Sequence, residues 1–525
     1  MSVLLRKMSN VPDEVVEGLE PWAGMLSVMA GSRRPAVLAL DIGSSGVRAA
    51  LFDELGHELE GASVSSNYPP GHRDFATFDA AQLLEHVAQT IDALFVKFPG
   101  SSMRVELIAV SCFWHSLVGV DADARATTPV LGWADARATA AVYQLRSDFD
   151  EEKIHARTGC RFHSSYWPAK LRRLRNDEPE NFQRATRWLS FAEYLTLHLF
   201  GETATSVSMA SGSGLLNQRT CEWDDELIRA LGVAPGGLPE IAGRQQSFHG
   251  LTETYARRWP QLERARLFPA VGDGAANSIG SGCVSTERMA LMIGTSGAMR
   301  VCFVGEPPEK LPAELWSYRA NRDRVLVGGA LSDGGGLYNL IRESLLRAED
   351  FQTIESELEL LSPDAHGLTV LPFWAGERSS GWNPAASGAI LGLTLQTLPI
   401  EILRAAMEAI AYRFALIARA LEPFAPGATL IASGNALRSS PVWVQILADV
   451  LGRRVQLSEL AEASIRGAAL LALEAAGKIQ TIEKYSVPFS ESAATVFEPN
   501  MRHHALYQAG LDRQQRVYER LFTST

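Results

Sequence analysis

Short segments that combine one aspartate with glycines and hydroxyl residues are the chemically suggestive features of this sequence. Residues 37–52, VLALDIGSSGVRAALF, predict a strand, a tight turn and a second strand. Gly43 and Gly46 are expected to take positive φ angles where the chain reverses. The backbone N–H groups and serine hydroxyls of such a turn can bind an anion, and Asp41 can ligate a divalent cation. The alternative is an ordinary hairpin whose aspartate caps the turn.

A partial copy of this segment occurs in the second half of the chain. Residues 290–301, ALMIGTSGAMRV, repeat its order, so that 293–297 matches 42–46. Met292 stands where the first copy has Asp41, and only the first copy can therefore offer a carboxylate to a metal ion. The repeat predicts two facing phosphate loops, one per domain, although chance similarity of two glycine-rich turns also explains five matching positions.

Asp273 is the most informative acid of the sequence. It lies in the segment GDGAA after an apolar run of strand character, so we expect its carboxylate at an interdomain edge. A carboxylate there can accept the proton of an alcohol that attacks a phosphoryl group. In that reaction positioning and charge neutralisation do most of the catalytic work. An aspartate in an ordinary turn is the alternative.

Aromatic and charged residues cluster in the first half of the chain. Trp114 and His115 follow a predicted strand, and Trp133, Asp135 and Arg137 come shortly after them. A polyol offers hydroxyl groups and apolar C–H faces, which guanidinium, carboxylate and aromatic groups recognise. Core tryptophans, a structural Asp135–Arg137 pair and a buried core histidine are the alternative.

One further motif suggests a nucleotide site, and the motifs of several other enzyme classes are missing from the sequence. Residues 433–436, Ser-Gly-Asn-Ala, end an apolar strand and precede a helix, and a glycine turn there lets a flat nucleobase approach the backbone. A plain strand-to-helix loop is the alternative. The sequence lacks the G-x4-G-K-[ST] pattern of a P-loop, and its G-x-G runs at Gly272 and Gly280 lack the context of a dinucleotide site. A nucleophile elbow is likewise not supported, so hydrolysis and hydride transfer are not favoured.

Composition restricts the class of protein. The 525 residues suit two large domains, and 46% hydrophobic with 21% charged residues is an ordinary soluble balance. A formal net charge of -11 disfavours a polynucleotide or an anionic membrane surface as partner. Five cysteines without a CxxC pair predict reduced thiols in a cytoplasmic enzyme. The apolar runs are too short to span a bilayer.

Alternating strand and helix patterns predict an α/β fold with an antiparallel opening meander. We divide the chain into an N-terminal extension at 1–35, domains at 36–282 and 283–500, and a tail helix at 501–525. Besides the opening hairpin, the predicted strands are 59–64, 105–111, 117–120, a pair within 289–303, 324–327 and 428–432. The predicted helices are 78–98, 134–146, 164–175, 188–200, 337–346, 400–421 and 442–451.

The ordered motifs resemble the FGGY family of carbohydrate kinases. That resemblance implies a two-domain actin-like ATPase (ribonuclease H-like) fold with its active site in the interdomain cleft. Residues 388–408, GAILGLTLQTLPIEILRAAME, fit the family's C-terminal signature throughout. The N-terminal signature is matched only in part, because Trp167 and Arg173 replace the family's usual residues. The other matching segments are DIGSSGVR at 41, GDGAA at 272, IGTSG at 293, ASGNALRSSPVW at 432 and EASIRGAALLA at 462.

The resemblance implies ATP and Mg2+ as cofactors, Asp273 as the base and Asp41 as a ligand of Mg2+. Trp114 and His115 occupy the place of the family's sugar contacts, and Asp135 and Arg137 complete the expected substrate set. The implied ATP-binding residues are Gly43, Ser44, Ser45, Arg48, Gly294, Thr295, Ser296, Gly434, Asn435 and Ser439.

Within the family, the segments WHSLVGVD, WADAR and HSSYWPAKL are most similar to gluconate kinases. We therefore expect ATP-dependent phosphorylation of a sugar or sugar acid, with D-gluconate converted to 6-phosphogluconate. Four cationic or titratable residues are expected to offset the charge of gluconate: Arg137, His115, His163 and Lys170. The alternatives are a kinase of a ketopentose such as xylulose or ribulose and, from another class, an actin- or chaperone-like nucleotide switch. The expected partner is a small molecule rather than nucleic acid or a membrane, and a homodimer is left open.

Overall fold

The first half of the chain forms a mixed sheet with packed helices in the computed structural model, which describes residues 37–68, 76–99, 105–347, 349–458, 460, 462–485 and 495–523. The predicted N-terminal extension at 1–35 lies outside the described residues. The strands are β1 (Val37–Ile42), β2 (Gly46–Phe52), β3 (Glu58–Asn67), β4 (Thr77–Phe78), β5 (Leu107–Cys112), β6 (Val118–Val120), β7 (Val130–Leu131), β8 (Arg187–Leu189), β9 (Leu216–Asn217), β10 (Glu222–Trp223), β11 (Arg266–Leu267) and β12 (Val271–Gly272). The helices are α1 (Ala80–Lys97), α2 (Thr139–Asp148), α3 (Glu151–Thr158), α4 (Trp167–Asp177), α5 (Pro179–Arg184), α6 (Phe191–Phe200), α7 (Val207–Ser211), α8 (Asp225–Leu231), α9 (Glu253–Arg258) and α10 (Asp273–Gly280).

The second half of the chain repeats this alternation of strands and helices. Its strands are β13 (Arg288–Ile293), β14 (Gly297–Val304), β15 (Trp316–Arg319), β16 (Arg324–Leu331), β17 (Thr369–Leu371), β18 (Ala389–Leu391), β19 (Thr429–Ser433), β20 (Val455–Leu457) and β21 (Thr495–Phe497). Its helices are α11 (Gly335–Leu345), α12 (Phe351–Leu360), α13 (Pro399–Leu421), α14 (Asn435–Ser439), α15 (Pro441–Leu451), α16 (Ala463–Ala475) and α17 (Met501–Phe522).

The first sheet brings two acidic residues to one edge. Its strand order is β11-β5-β1-β2-β3, with β12 also paired to β5. Strands β1 and β12 both run parallel to β5. Asp41 of β1 pairs in register with Ser111 of β5, and Gly272 of β12 pairs with the next residue of β5, Cys112. Because parallel strands end at the same side of a sheet, Asp41 and Asp273, which follows Gly272, lie at the same edge.

The second sheet has the same central arrangement as the first. Its order is β15-β16-β14-β13-β19-β20-β21, in which β13 is antiparallel to β14 and parallel to β19. The hairpins β1–β2 and β13–β14 therefore correspond, which confirms the predicted strand-turn-strand segments. The expected positive φ angles are wrong, because neither Gly43 nor Gly46 lies in that region. Gly46 instead allows close pairing with β3, since a Cβ there would lie 2.5 Å from the carbonyl oxygen of Ser66.

Most predicted helices form at bounds that differ by a few residues, including the tail helix, α17. The prediction of a helix from 188 is wrong at its start. Residues Arg187–Leu189 form β8, which pairs antiparallel with β6. Ser190 then caps helix α6 in a capping box with Glu193, and this cap fixes where the helix begins.

Helices α10 and α16 cross with their backbones in close approach. A Cβ on Gly280 would lie 1.7 Å from the carbonyl oxygen of Ala463, and a Cβ on Gly467 would lie 1.8 Å from that of Ala276. Helix α16 also packs against β1 and β5. The crossing therefore fixes α10, whose first residue is Asp273, against the sheet that carries Asp41.

The largest apolar cluster spans both halves of the chain. It contains the first sheet, the buried face of α16, and Trp316 and Tyr318 of β15. Elements after residue 282 thus pack into the core of the first half, and the division into domains at 36–282 and 283–500 stays a prediction.

Replacing Gly467 by alanine tests the α10–α16 crossing. Alanine favours an isolated helix by about 1 kcal/mol, but overpacking costs about 1–3 kcal/mol, and an overlap at 1.8 Å with backbone leaves little room to relax. We expect Gly467→Ala to lower the melting temperature and the turnover rate. The matched control is Gly243→Ala, whose Cβ would meet nothing within 4 Å. Equal melting temperatures for the two variants would contradict the crossing.

Candidate active site

The two hairpin turns face a common cavity of about 560 Å³ between the sheets. Loop residues after β19, the start of α16 and residues of α11 form further walls. Asp41 and Asp273 both line it. The cavity also brings together every residue predicted to bind ATP, namely Gly43, Ser44, Ser45, Arg48, Gly294, Thr295, Ser296, Gly434, Asn435 and Ser439.

Asp41 is a buried acid at the wall of this cavity. Its Oδ1 accepts a hydrogen bond from the Ser111 hydroxyl at 2.8 Å, and its Oδ2 accepts one from Arg48 Nη1 at 3.3 Å. Arg48 is shared with Glu462, whose carboxylate lies 2.9 Å from Nε. Burial raises the pKa of Asp41, against the opposing effects of Ser111 and Arg48. Additional positive charge in the cavity would stabilise its ionised form.

Asp273 begins helix α10 directly after β12. Its Oδ1 accepts a hydrogen bond from the backbone N–H of Gly274 at 2.7 Å, and the helix N-terminus favours negative charge there. Burial and the charge of Asp41 nevertheless raise the pKa of Asp273 to about 6, while Arg300 opposes the rise. Asp273 is therefore ionised at neutral pH yet basic enough to accept a proton.

Trp114 fixes the backbone on both sides of Asp273. A Cβ on Gly272 would lie 1.8 Å from an indole atom of Trp114, and one on Gly274 would lie 2.5 Å from another. The indole N–H donates to the carbonyl oxygen of Ser208 at 2.9 Å. The glycines of the GDGAA segment are therefore required by the tryptophan that packs on them.

A second, smaller pocket adjoins the cavity and shares Asp273 with it. Trp114 and His115, which were predicted to contact the sugar, line this pocket, and Arg300 and Arg378 supply positive charge. Its other aromatic walls are Trp133, Tyr166, Trp316, Tyr318 and Trp382. Aromatic faces with a few cations and one carboxylate suit a polyhydroxylated ligand.

Asp135 and Arg137 line neither space. Asp135 is buried and accepts two hydrogen bonds from the Arg137 guanidinium, at 2.8 and 2.7 Å, and another from its backbone N–H. The arrangement matches the structural pair that the sequence left open as an alternative. A substrate role for these two residues stays a prediction without support from their positions.

The predicted charge-offsetting residues are mostly neutral or already engaged. Burial lowers the pKa of both His115 and His163 to about 3, so both rings are uncharged at neutral pH. Lys170 is fully buried, donates to the carbonyl oxygens of His115 and Leu131, and has its pKa lowered to about 7 by burial. These groups therefore contribute less positive charge than their residue types suggest.

Arg378 is one of two pocket cations that the sequence patterns did not predict. It is buried at the pocket wall, stacks over the Trp133 ring at 5.0 Å, and donates to the carbonyl oxygen of Leu331. Its Nε has no hydrogen-bond partner among the described residues. Arg300, also missed, lies in an otherwise apolar strand and holds α10 through Asn277 and Ser278. The sequence did contain an indication of Arg300, because an arginine within an otherwise apolar strand must have a buried partner.

The fold and the paired cavities define a kinase of the actin-like type, and comparisons with known proteins identify its family. Residues 36–280 match the N-terminal domain of the FGGY family of carbohydrate kinases, and residues 289–476 match the C-terminal domain of the same family. The chain belongs to this family and is a carbohydrate kinase, so ATP is its phosphoryl donor.

Individual relatives agree with this assignment. A gluconokinase from Bacillus subtilis (strain 168) is 26% identical over 86% of this chain and 89% of its own. The crystal structure of a gluconate kinase from Lactobacillus acidophilus has a TM-score of 0.80 at 27% identity, covering 92% of this chain and 98% of its own. A ligand-bound xylulose kinase from the same organism has a TM-score of 0.79 at 27% identity, with the same coverage.

The pKa of Asp273 predicts a pH dependence of the reaction. With Asp273 as the predicted base, the active form is the deprotonated one, so kcat/KM should rise with pH through about 6 and level off above it. Below that pH the rate should fall about tenfold per pH unit, because the protonated carboxyl cannot accept a proton. Steady-state kinetics from pH 5 to 8.5 measure this acidic part of the pH profile. A profile that is flat down to pH 5 would contradict the assignment.

Proposed function

We propose that the protein transfers the γ-phosphoryl group of ATP to the C6 hydroxyl of D-gluconate. The observation that carries the proposal is the meeting of two cavities at one carboxylate, Asp273. The names of the gluconokinase and gluconate kinase relatives support gluconate as the acceptor. Arg378, with its unpaired Nε, is a suitable partner for the carboxylate of a sugar acid.

In the proposed reaction Asp273 is the base. Its carboxylate accepts the proton of the substrate hydroxyl while that oxygen forms a bond to the γ-phosphorus. The bond from the γ-phosphorus to the bridging oxygen of ADP breaks, and Asp273 later returns the proton to solvent. The aromatic pocket orients the sugar, and its walls exclude water that would otherwise hydrolyse ATP.

The two turns would hold the phosphates. Ser44 and Ser45 from the first turn and Thr295 and Ser296 from the second line the cavity, and their hydroxyl and backbone N–H groups would donate to the phosphate oxygens. Beyond the second turn, Gly434, Asn435 and Ser439 form the wall proposed for the adenosine. Arg48 would add positive charge near the first turn.

The residues present fit Mg2+. Asp41 is an oxygen donor in the phosphate cavity with a buried carboxylate, and Mg2+ in kinases is held by one or two carboxylates together with waters and substrate phosphates. Asp41 would hold the ion, and Mg2+ would neutralise phosphate charge when bound.

A substrate panel tests the acceptor. We expect kcat/KM for D-gluconate to exceed that for xylulose, ribulose and glycerol by at least about tenfold, because only gluconate offers a carboxylate to the pocket cations. A coupled ADP-release assay measures each rate, with ATP alone as the background. Turnover of a ketopentose without turnover of gluconate would contradict the proposal and favour the alternative acceptor.

Asp273→Asn tests the base. The variant should lose at least about a hundredfold in kcat, since a carboxamide cannot accept the proton. A raised folded-state pKa means that the ionised carboxylate destabilises the native state as pH rises from 3.8 through about 6. The melting temperature of Asp273→Asn at pH 8 should therefore equal or exceed that of the parent. Near-normal turnover would overturn the assignment of Asp273.

Cytoplasmic location and a homodimer remain predictions. Within the described ranges, every helix is too short or too polar to cross a membrane.

A further inference from the structure

Helix α17 carries a buried tyrosine into a charged network next to the substrate pocket. The Tyr518 hydroxyl donates to Glu377 Oε2 at 2.6 Å, and Arg413 donates to Oε1 of the same carboxylate. Glu377 is 2% exposed, and Arg413 stacks over the Tyr518 ring at 5.0 Å. The carboxylate is thus desolvated and held by two partners from different helices.

The same carboxylate shapes the turn that follows it. Glu377 accepts hydrogen bonds from the backbone N–H of Gly381 at 3.1 Å and of Asn383 at 3.2 Å. The turn is pressed against α17, since a Cβ on Gly381 would lie 2.0 Å from the Tyr518 hydroxyl. A second tie joins the Asn383 side chain to the carbonyl oxygen of Phe522.

This turn delivers two side chains to the substrate pocket. Arg378 and Trp382 both line the pocket, and Trp382 is held at a φ of 51°, where bulky residues rarely lie. A conformation of that kind persists only where the surroundings impose it. Glu377 and its partners on α13 and α17 form one part of those surroundings. Arg146, which donates to the Trp382 carbonyl oxygen at 2.8 Å, and the Glu314 carbonyl oxygen, which accepts from the indole N–H at 3.2 Å, form another.

We propose that Tyr518 is a positioning residue of the sugar site. Through Glu377, it sets the turn that places Arg378 and Trp382 in the pocket. Helix α17 lies beyond residue 476, where the match to the family's C-terminal domain ends. In this proposal the tail helix, α17, contributes to substrate recognition by positioning side chains of the pocket. The choice of gluconate as the test sugar rests on the proposed function.

A second tyrosine on the same helix provides a matched control. The Tyr507 hydroxyl accepts from Arg404 at 2.8 Å and donates to Glu408 at 3.3 Å, and the residue is as buried as Tyr518. Its network supports Asp364 and His366, which do not line the pocket. Tyr507→Phe therefore removes an equivalent buried hydroxyl without touching the turn.

The experiment compares Tyr518→Phe with Tyr507→Phe in the full chain. We expect Tyr518→Phe to raise KM for gluconate about tenfold while KM for ATP stays near the parent value, because only the sugar contacts shift. Tyr507→Phe should lower the melting temperature to a similar extent and leave the gluconate KM unchanged. Asn383→Ala, which removes the second tie, should raise the gluconate KM in the same direction.

Two results would overturn the inference. The first is an unchanged KM for gluconate in Tyr518→Phe. The second is an equal increase of this KM in Tyr518→Phe and Tyr507→Phe, because that result would indicate general destabilisation. If the parent enzyme uses another sugar, the proposed acceptor fails, and the same comparison with that sugar still decides the role of Tyr518.

Discussion

The burial of two carboxylates at one edge of a sheet, where their charges oppose each other, is the constraint on which the site depends. Strands β1 and β12 flank β5 in parallel, so Asp41 and Asp273 cannot be separated without breaking the sheet. Ser111 and Arg48 stabilise the first acid, and the start of α10 stabilises the second. Burial, together with the remaining repulsion from Asp41, keeps the pKa of Asp273 near 6, which suits a base at neutral pH.

The packing around this edge keeps both acids in place. Helix α16 crosses α10 at backbone contact, and Trp114 lies against the glycines on either side of Asp273. Both α16 and Trp114 are distant in sequence from α10 and the glycines that they contact. The larger cavity and the aromatic pocket consequently share Asp273, which is the one carboxylate that lines both of them among the described residues.

Local patterns predicted the features that depend on local sequence. The two hairpins, the long helices and the order of the glycine-rich segments follow from apolar periodicity and turn residues, and the cavity contains every residue predicted to bind ATP. Long-range contacts explain the failures. Arg378 reaches the pocket from a turn braced by α17, and burial makes His115 and His163 neutral, which residue type alone does not reveal. Asp135 satisfies Arg137 locally, and β8 forms because β6 lies beside it.

A crystal structure of the protein with D-gluconate and a non-hydrolysable ATP analogue tests the central claim most directly. We expect the C6 hydroxyl to lie within hydrogen-bond reach of Asp273, at about 2.6–3.2 Å, and the γ-phosphate to lie between the two turns. A sugar bound with its reacting hydroxyl against another acid, or a γ-phosphate outside the cavity shared by Asp41 and Asp273, would contradict it.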